Sequence, residues 1–146
     1  MKKVHFIGIG GIGVSALAKF YFKKGWQVSG SDLEESEITK DLEKLGAQIF
    51  TPHLSGTDFV NMYVKHSVRK VSGFIGKHKL PDLVIYSPAI SKNNPELQVA
   101  KKLKIKCQSY PQSLGQLTKR YFTIAVSGTH GKSTTSAFIS LILIRA

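Results

Sequence analysis

The stretch Val4-His5-Phe6-Ile7-Gly8-Ile9-Gly10-Gly11-Ile12-Gly13-Val14-Ser15-Ala16-Leu17-Ala18 decides the fold that we expect. Its apolar start predicts a strand, its glycines have G-x-G-x-x-G spacing, and the residues that follow favour a helix. This order is typical of a dinucleotide-type site, in which Gly8 permits a sharp turn, Gly10 lets backbone approach a diphosphate and Gly13 permits close helix packing. The alternative is a tight turn with no ligand.

Length and composition describe an ordinary globular protein. The 146 residues are 42% hydrophobic and 21% charged, which suffices for one core but is short for two complete domains. The longest apolar run, 137–144, is far below the ~20 residues that span a bilayer, and no secretory signal pattern is visible. The single cysteine, Cys107, allows no internal disulfide. We therefore expect a cytoplasmic protein with no membrane partner.

The formal charge of +12 makes nucleic acid a hypothesis to weigh. Eighteen of the 21 basic residues are lysines and three are arginines, and they are scattered along the chain. Bidentate recognition of bases and phosphates favours arginine. We therefore favour a lysine-rich solvated surface over a nucleic-acid interface, although the excess charge would attract an anionic substrate.

Segments with strand and helix patterns alternate through the first 108 residues. The predicted strands are 4–7, 26–30, 47–51, 83–87 and 105–107, and the predicted helices are 13–24, 37–45, 57–71, 95–103 and 111–119. Alternation with short turns predicts an α/β fold, a Rossmann-like parallel sheet with helices on both faces. The basic stretch 72–79 has a flexible composition.

Two polar positions follow predicted strands. Asp32 lies 24 residues after Gly8, near the place where an acid accepts hydrogen bonds from a ribose. It also suits the N-cap of the next helix, and the two uses are compatible. His53 lies in a loop, where nothing local makes it catalytic.

The C-terminal part carries a second phosphate pattern. The predicted strand 121–126 leads into Ser127-Gly128-Thr129-His130-Gly131-Lys132-Ser133-Thr134-Thr135 and then into a helical run. In such a loop backbone amides cradle phosphates, Lys132 reaches the β and γ phosphates, and Ser133 can ligate magnesium. The longer form of the pattern needs glycine at position 126, where this chain has Val126. We expect ATP binding here.

The two loops in this order resemble the Mur ligases of bacterial cell-wall synthesis, on which cell shape and division depend. The likeness is carried by 5–15, 28–32, 94–96 and 127–135, and it is weaker over 54–81. It implies a UDP-substrate-binding Rossmann-like domain over 1–108, a connector over 109–120, and the start of a truncated P-loop ATP-binding domain over 121–146. Since the family runs to several hundred residues, we expect a fragment that binds the UDP moiety and is inactive alone.

The resemblance also implies the site residues. The substrate side would comprise Gly8, Gly10, Gly11, Ile12, Gly13, Ser31, Asp32, His53, Ser87, Ala89 and Ile90. The ATP side would comprise Ser127, Gly128, Thr129, His130, Gly131, Lys132, Ser133 and Thr134, with Lys132 catalytic and Ser133 a ligand of Mg²⁺. Pro52 and Pro88 stand where the family usually has glycine and serine.

The family reaction activates the carboxylate of UDP-N-acetylmuramate with ATP as an acyl phosphate, which the amine of L-alanine attacks. Two other classes remain open: a regulatory NAD-binding domain with Asp32 on the ribose, and a basic nucleic-acid-binding protein suggested by charge alone. The apolar helix 132–145 is expected to fray, or to bury its face against the first domain or a second copy of the chain.

Overall fold

A computed structural model of the protein describes residues 1–64 and 80–145. The chain divides into two compact units, Met1–Gly115 and Gln116–Ala146, which we call unit 1 and unit 2 and describe separately. The three-part domain division expected from the sequence remains a prediction.

Unit 1 is built on a parallel sheet. Its strands are β1 (Lys3–Ile7), β2 (Gln27–Ser31), β3 (Gln48–Phe50), β4 (Leu83–Tyr86) and β5 (Cys107–Ser109). Its helices are α1 (Ile12–Lys23), α2 (Glu37–Lys44), α3 (Gly56–Val64), α4 (Pro95–Lys102) and the start of α5 (Tyr110–Thr118). The strand order is β3-β2-β1-β4-β5 and all four pairs are parallel, which confirms the predicted Rossmann-like α/β fold.

Two predicted elements differ in extent. β5 begins two residues later than expected, because Cys107–Ser109 pairs with β4 while the apolar Ile105 packs against the core. The helix predicted over 57–71 is confirmed as α3 through Val64, and its remainder and the basic stretch 72–79 lie outside the described residues.

The two faces of the sheet bury alternate side chains of β1, as strand geometry requires. The Phe6 ring contacts Tyr21 of α1 at 6.1 Å between centroids, edge to face. On the opposite face the His5 ring contacts Phe59 of α3 at 5.1 Å. That second face carries a buried apolar cluster formed by Ile7, Phe59, Val84, Leu97 and Ala100. His5 is therefore a polar group inside an apolar layer.

Unit 2 contains α6 (Lys132–Arg145). Residues 121–126 pair with no strand in the described part of the chain, so the strand predicted there is not confirmed. A single extended segment has no ladder partner for its backbone groups. None of the 14 residues of α6, all of them described, is buried, and Phe138 and Ile144 are 62% and 80% exposed. How these apolar side chains are covered remains a prediction.

Across the described ranges, the helices include none with both the length and the apolar character needed to cross a bilayer.

Gly30 occupies a point where β2 approaches β1 and the glycine loop too closely for a side chain. A Cβ there would lie 2.8 Å from the Phe6 carbonyl oxygen and 2.6 Å from Ile9 Cδ1. We predict that Gly30→Ala lowers the free energy of unfolding by about 1–3 kcal/mol, because strand backbone cannot yield without breaking its ladder. Urea unfolding followed by the fluorescence of Trp26 measures this.

Gly115→Ala is the matched control for this substitution. Gly115 lies inside α5, and a Cβ there meets nothing within 4 Å. Alanine at such a position is expected to be neutral or to stabilise by up to about 1 kcal/mol. Equal destabilisation by both variants would contradict the packing argument.

Candidate functional site

The candidate substrate site lies at the carboxyl edge of the sheet. β1, β2 and β4 end at Ile7, Ser31 and Tyr86, and the predicted substrate-side residues lie at these ends or in the segments that follow. The strand order changes direction between β1 and β4. In open α/β sheets, the crevice at such a switch point is where ligands bind.

The glycine loop turns sharply after β1 and is tied to β2. Gly8 has φ of +79°, the left-handed conformation expected of the first glycine. The amides of Gly8 and Ile9 both donate to the Ser31 carbonyl, at 2.8 and 3.1 Å. A Cβ on Gly8 would lie 2.9 Å from Ser87 Cβ and 3.4 Å from Ile90 Cδ1. The structure thus brings the loop after β4 against the glycine loop.

The N-terminus of α1 is open. Its first helical bond runs from the Ser15 amide to the Gly11 carbonyl, 2.8 Å, so the amides of residues 12–14 have no acceptor within the helix. No side chain caps this end, and both Gly11 and Ile12 are exposed. Amides at a helix N-terminus, together with the helix dipole, favour an anion.

Asp32 holds the glycine loop rather than a helix end. Its Oδ2 accepts from the Gly10 amide at 2.7 Å, and its Oδ1 accepts from the Leu33 amide at 2.7 Å. The Gly10 amide is therefore already paired, which leaves the amides of 12–14 to face a diphosphate. The alternative of Asp32 as N-cap of α2 is wrong, because Ser36 caps that helix in a capping box with Thr39.

Tyr110, the first residue of α5, lies against the same helix end. The nearest atoms to a Cβ on Gly13 would be those of the Tyr110 phenol, at 2.7 Å. The close approach at Gly13 is thus made by an aromatic ring from α5. Sequence reasoning missed Tyr110, whose one signal is its position directly after the last strand of the sheet.

Glu96 is placed by the start of α4. Asn94 caps this helix by accepting from the Leu97 amide at 3.0 Å, and Pro95 occupies the first turn. Glu96 therefore follows inside the first turn, and its side chain has no exposed surface. Sequence reasoning quoted Glu96 in a motif but gave it no role.

The Glu96 carboxylate has partners from three other segments. Its Oε1 accepts from the Ser31 hydroxyl at 2.7 Å and from the Leu54 amide at 2.9 Å, and its Oε2 lies 2.9 Å from His5 Nε2. The second ring nitrogen of His5 lies 3.0 Å from Ser29 Oγ. His53 joins at the outer end, with Nδ1 2.8 Å from Ser31 Oγ. We call Ser29, His5, Glu96, Ser31 and His53 the buried network.

Opposing effects set the pKa of Glu96. Burial raises the pKa of this carboxyl, but hydrogen bonds with His5, His53 and Ser31 and the charge of His5 lower it further, to about 2. The carboxyl group is therefore ionised at neutral pH and acts only as an acceptor.

In unit 2, the ATP-side residues form a turn and the start of α6. Gly128 and Gly131 have φ of +151° and +76°, which glycine adopts readily. The Lys132 ammonium donates to the carbonyls of Gly128 and Thr129 at 2.6 and 3.2 Å. The Thr135 amide donates to the Gly131 carbonyl at 2.9 Å, so the amides of 132–134 face outward from the helix end. Ser127 and His130 are exposed beside this turn.

Among residues 1–64 and 80–145, no group of three or more His, Cys, Asp or Glu side chains is arranged to hold a metal ion.

Residues 3–122 match the model of the Mur ligase family, catalytic domain. The chain belongs to the Mur ligase family. It is 46% identical to the UDP-N-acetylmuramate–L-alanine ligase of Campylobacter jejuni over 98% of its own length, and 44% identical to that of Clostridium kluyveri over 99%. It spans 28% of each relative and corresponds to the N-terminal portion of the first.

Solved structures of Mur ligases agree with this membership. The crystal structure of UDP-N-acetylmuramate–alanine ligase from Thermotoga maritima matches with a TM-score of 0.76 at 36% identity, covering 98% of this chain and 29% of that one. The resemblance inferred from the two loops is confirmed. The individual site residues remain predictions for this Mur ligase chain.

The low pKa of Glu96 makes the stability of unit 1 depend on pH. Because the pKa falls from 4.5 to about 2 on folding, the ionised form stabilises the fold above pH 4.5, and this contribution is lost as pH falls through about 2. It amounts to about 3 kcal/mol. Urea unfolding between pH 2 and 7 measures it, and Glu96→Gln should flatten the profile over this interval. Identical pH profiles for the two proteins would contradict the assignment.

Proposed function

We propose that the chain is part of an ATP-dependent ligase that joins L-alanine to UDP-N-acetylmuramate in peptidoglycan synthesis, in the bacterial cytoplasm. Two named relatives catalysing this reaction, each aligned over nearly the whole chain, support the proposal. The observation that carries it is the open N-terminus of α1 at the carboxyl edge of the sheet, which suits a diphosphate.

The UDP part of the substrate is proposed to lie along this edge. The amides of 12–14 would bind the diphosphate, and the small side chains of Gly10 and Gly11 would let it approach. Ser31, Asp32 and His53 would lie near the uridine. Ser87, Ala89 and Ile90 would line the opposite side, where Ile90 already contacts the position of a Gly8 Cβ.

ATP is proposed to bind the turn at 127–134 in unit 2. The donors present suit phosphate, since the Lys132 ammonium and the outward amides of 132–134 are grouped at one helix end. Lys132 would neutralise charge on the transferring phosphoryl group. A magnesium ion would be held through the Ser133 hydroxyl and phosphate oxygens, and would supply further charge neutralisation. Exposure of α6 is consistent with weak ATP binding by this chain alone.

Phosphoryl transfer and amide formation need the acceptor site as well as the nucleotide loop. We propose that this segment binds UDP but does not turn over. L-alanine would be bound by parts of the ligase outside it. The remaining cover for the apolar α6 would be another part of the ligase or a second copy of the chain.

Gly11 offers a direct test of the diphosphate site. Its backbone, with φ of −63° and ψ of 137°, accepts any side chain, and a Cβ there meets no atom closer than 3.6 Å. Aspartate at this N-cap position should stabilise α1 yet place a negative charge against the diphosphate. We predict that Gly11→Asp weakens UDP binding at least about tenfold without lowering the melting temperature.

Gly11→Asn is the matched control, because asparagine caps helices equally well and carries no charge. UDP titrations by calorimetry, run beside thermal melts, compare the three proteins. Unchanged affinity in Gly11→Asp would refute a diphosphate at this helix end, and equal losses in both variants would point to bulk instead of charge.

A further inference from the structure

The hydrogen-bond directions in the buried network point to a role for Glu96, and we propose that it is a positioning residue that fixes which ring nitrogen His53 presents to a ligand. The inference rests on the proposed function, because the ligand concerned is the uridine end of a UDP substrate.

The directions follow from the number of hydrogens that each group carries. An ionised carboxylate only accepts, so the single hydroxyl hydrogen of Ser31 points to Glu96, 2.7 Å from Oε1 and 2.9 Å from Oε2. Toward His53 the Ser31 oxygen can then only accept. The hydrogen of that bond therefore sits on Nδ1 of His53, 2.8 Å away. Glu96 Oε1 lies 3.4 Å from the same nitrogen and favours the same placement.

The segment that carries His53 is held by the same carboxylate. The amide of Leu54, the next residue, donates to Glu96 Oε1 at 2.9 Å. On the other side His5, which has no exposed surface, links Glu96 to β1. Glu96 thus fixes both the backbone beside His53 and the proton on its ring.

His53 is where the buried network reaches the surface. The side chains of His5 and Glu96 have no exposed area, whereas that of His53 is 13% exposed. With Nδ1 turned inward, Nε2 is the ring nitrogen left for a ligand. In the neutral ring it carries a lone pair and accepts a hydrogen bond.

An acceptor at this point selects between pyrimidines. The imide N–H of uracil can donate to Nε2, whereas the corresponding ring nitrogen of cytosine is itself an acceptor. A site built to bond an N–H rejects the analogue that lacks it, because a polar group is then left unpaired. We therefore assign to His53, held by Glu96, a preference for uracil over cytosine.

The test combines ¹⁵N NMR of the histidine rings with titrations of UDP and CDP, using the whole chain. The wild type should show His53 as the Nδ1–H tautomer and bind UDP at least about tenfold more tightly than CDP. In Glu96→Ala no carboxylate holds the Ser31 hydroxyl, which is then free to donate to His53 Nδ1. We expect the Nε2–H tautomer and loss of the preference for UDP.

Three further variants make the result specific. Glu96→Leu fills more of the buried volume without an acceptor and replaces Glu96→Ala if that protein does not fold. Glu96→Gln keeps an acceptor oxygen for Ser31 and Leu54, so it should restore the wild-type tautomer and preference. Ser29→Ala alters the His5 side of the buried network and should leave both unchanged.

The Nε2–H tautomer in the wild type would overturn the proposal without any variant. So would a folded Glu96→Ala or Glu96→Leu protein that keeps both the Nδ1–H tautomer and the preference for UDP. A wild-type chain that fails to bind UDP would instead refute the proposed function, and the tautomer measurement would still decide the role of Glu96.

Discussion

The buried carboxylate of Glu96 is the constraint on which the substrate side of unit 1 depends. An ionised group without exposed surface is costly unless each oxygen is paired, and here the partners come from β1, β2 and the segment after β3. One side chain from the first turn of α4 therefore fastens together elements that are far apart in sequence. Breaking the set would leave a buried charge exposed to an apolar layer.

The glycine loop depends on close backbone approach in a complementary way. The Ser31 carbonyl receives two amides of this loop, while its hydroxyl belongs to the buried network. The end of β2 is thus held both from the loop and from the core. Because these contacts consume the amides of Gly8, Ile9 and Gly10, the amides left for an anion are those at the start of α1.

Local patterns in the sequence predicted the sheet, its helices and the two phosphate loops, since apolar periodicity and glycine spacing act over a few residues. Glu96 was missed because its bond with His5 joins residues 91 apart, and nothing local distinguishes an inward glutamate from an exposed one in a helix start. Tyr110 was missed for the same reason. The strand predicted at 121–126 rested on an apolar run alone, and a strand also needs a neighbour.

The central claim is that the carboxyl edge of unit 1 is a site for a uridine diphosphate. Amide-resolved NMR of the ¹⁵N-labelled chain, titrated with UDP and then with NAD as competitor, tests it most directly. The account predicts that UDP shifts the amides of Ile12, Gly13 and Val14 and the ring of His53 most strongly, and that NAD does not reverse these shifts. Shifts centred elsewhere in the chain, or displacement of UDP by NAD at equal concentration, would contradict it.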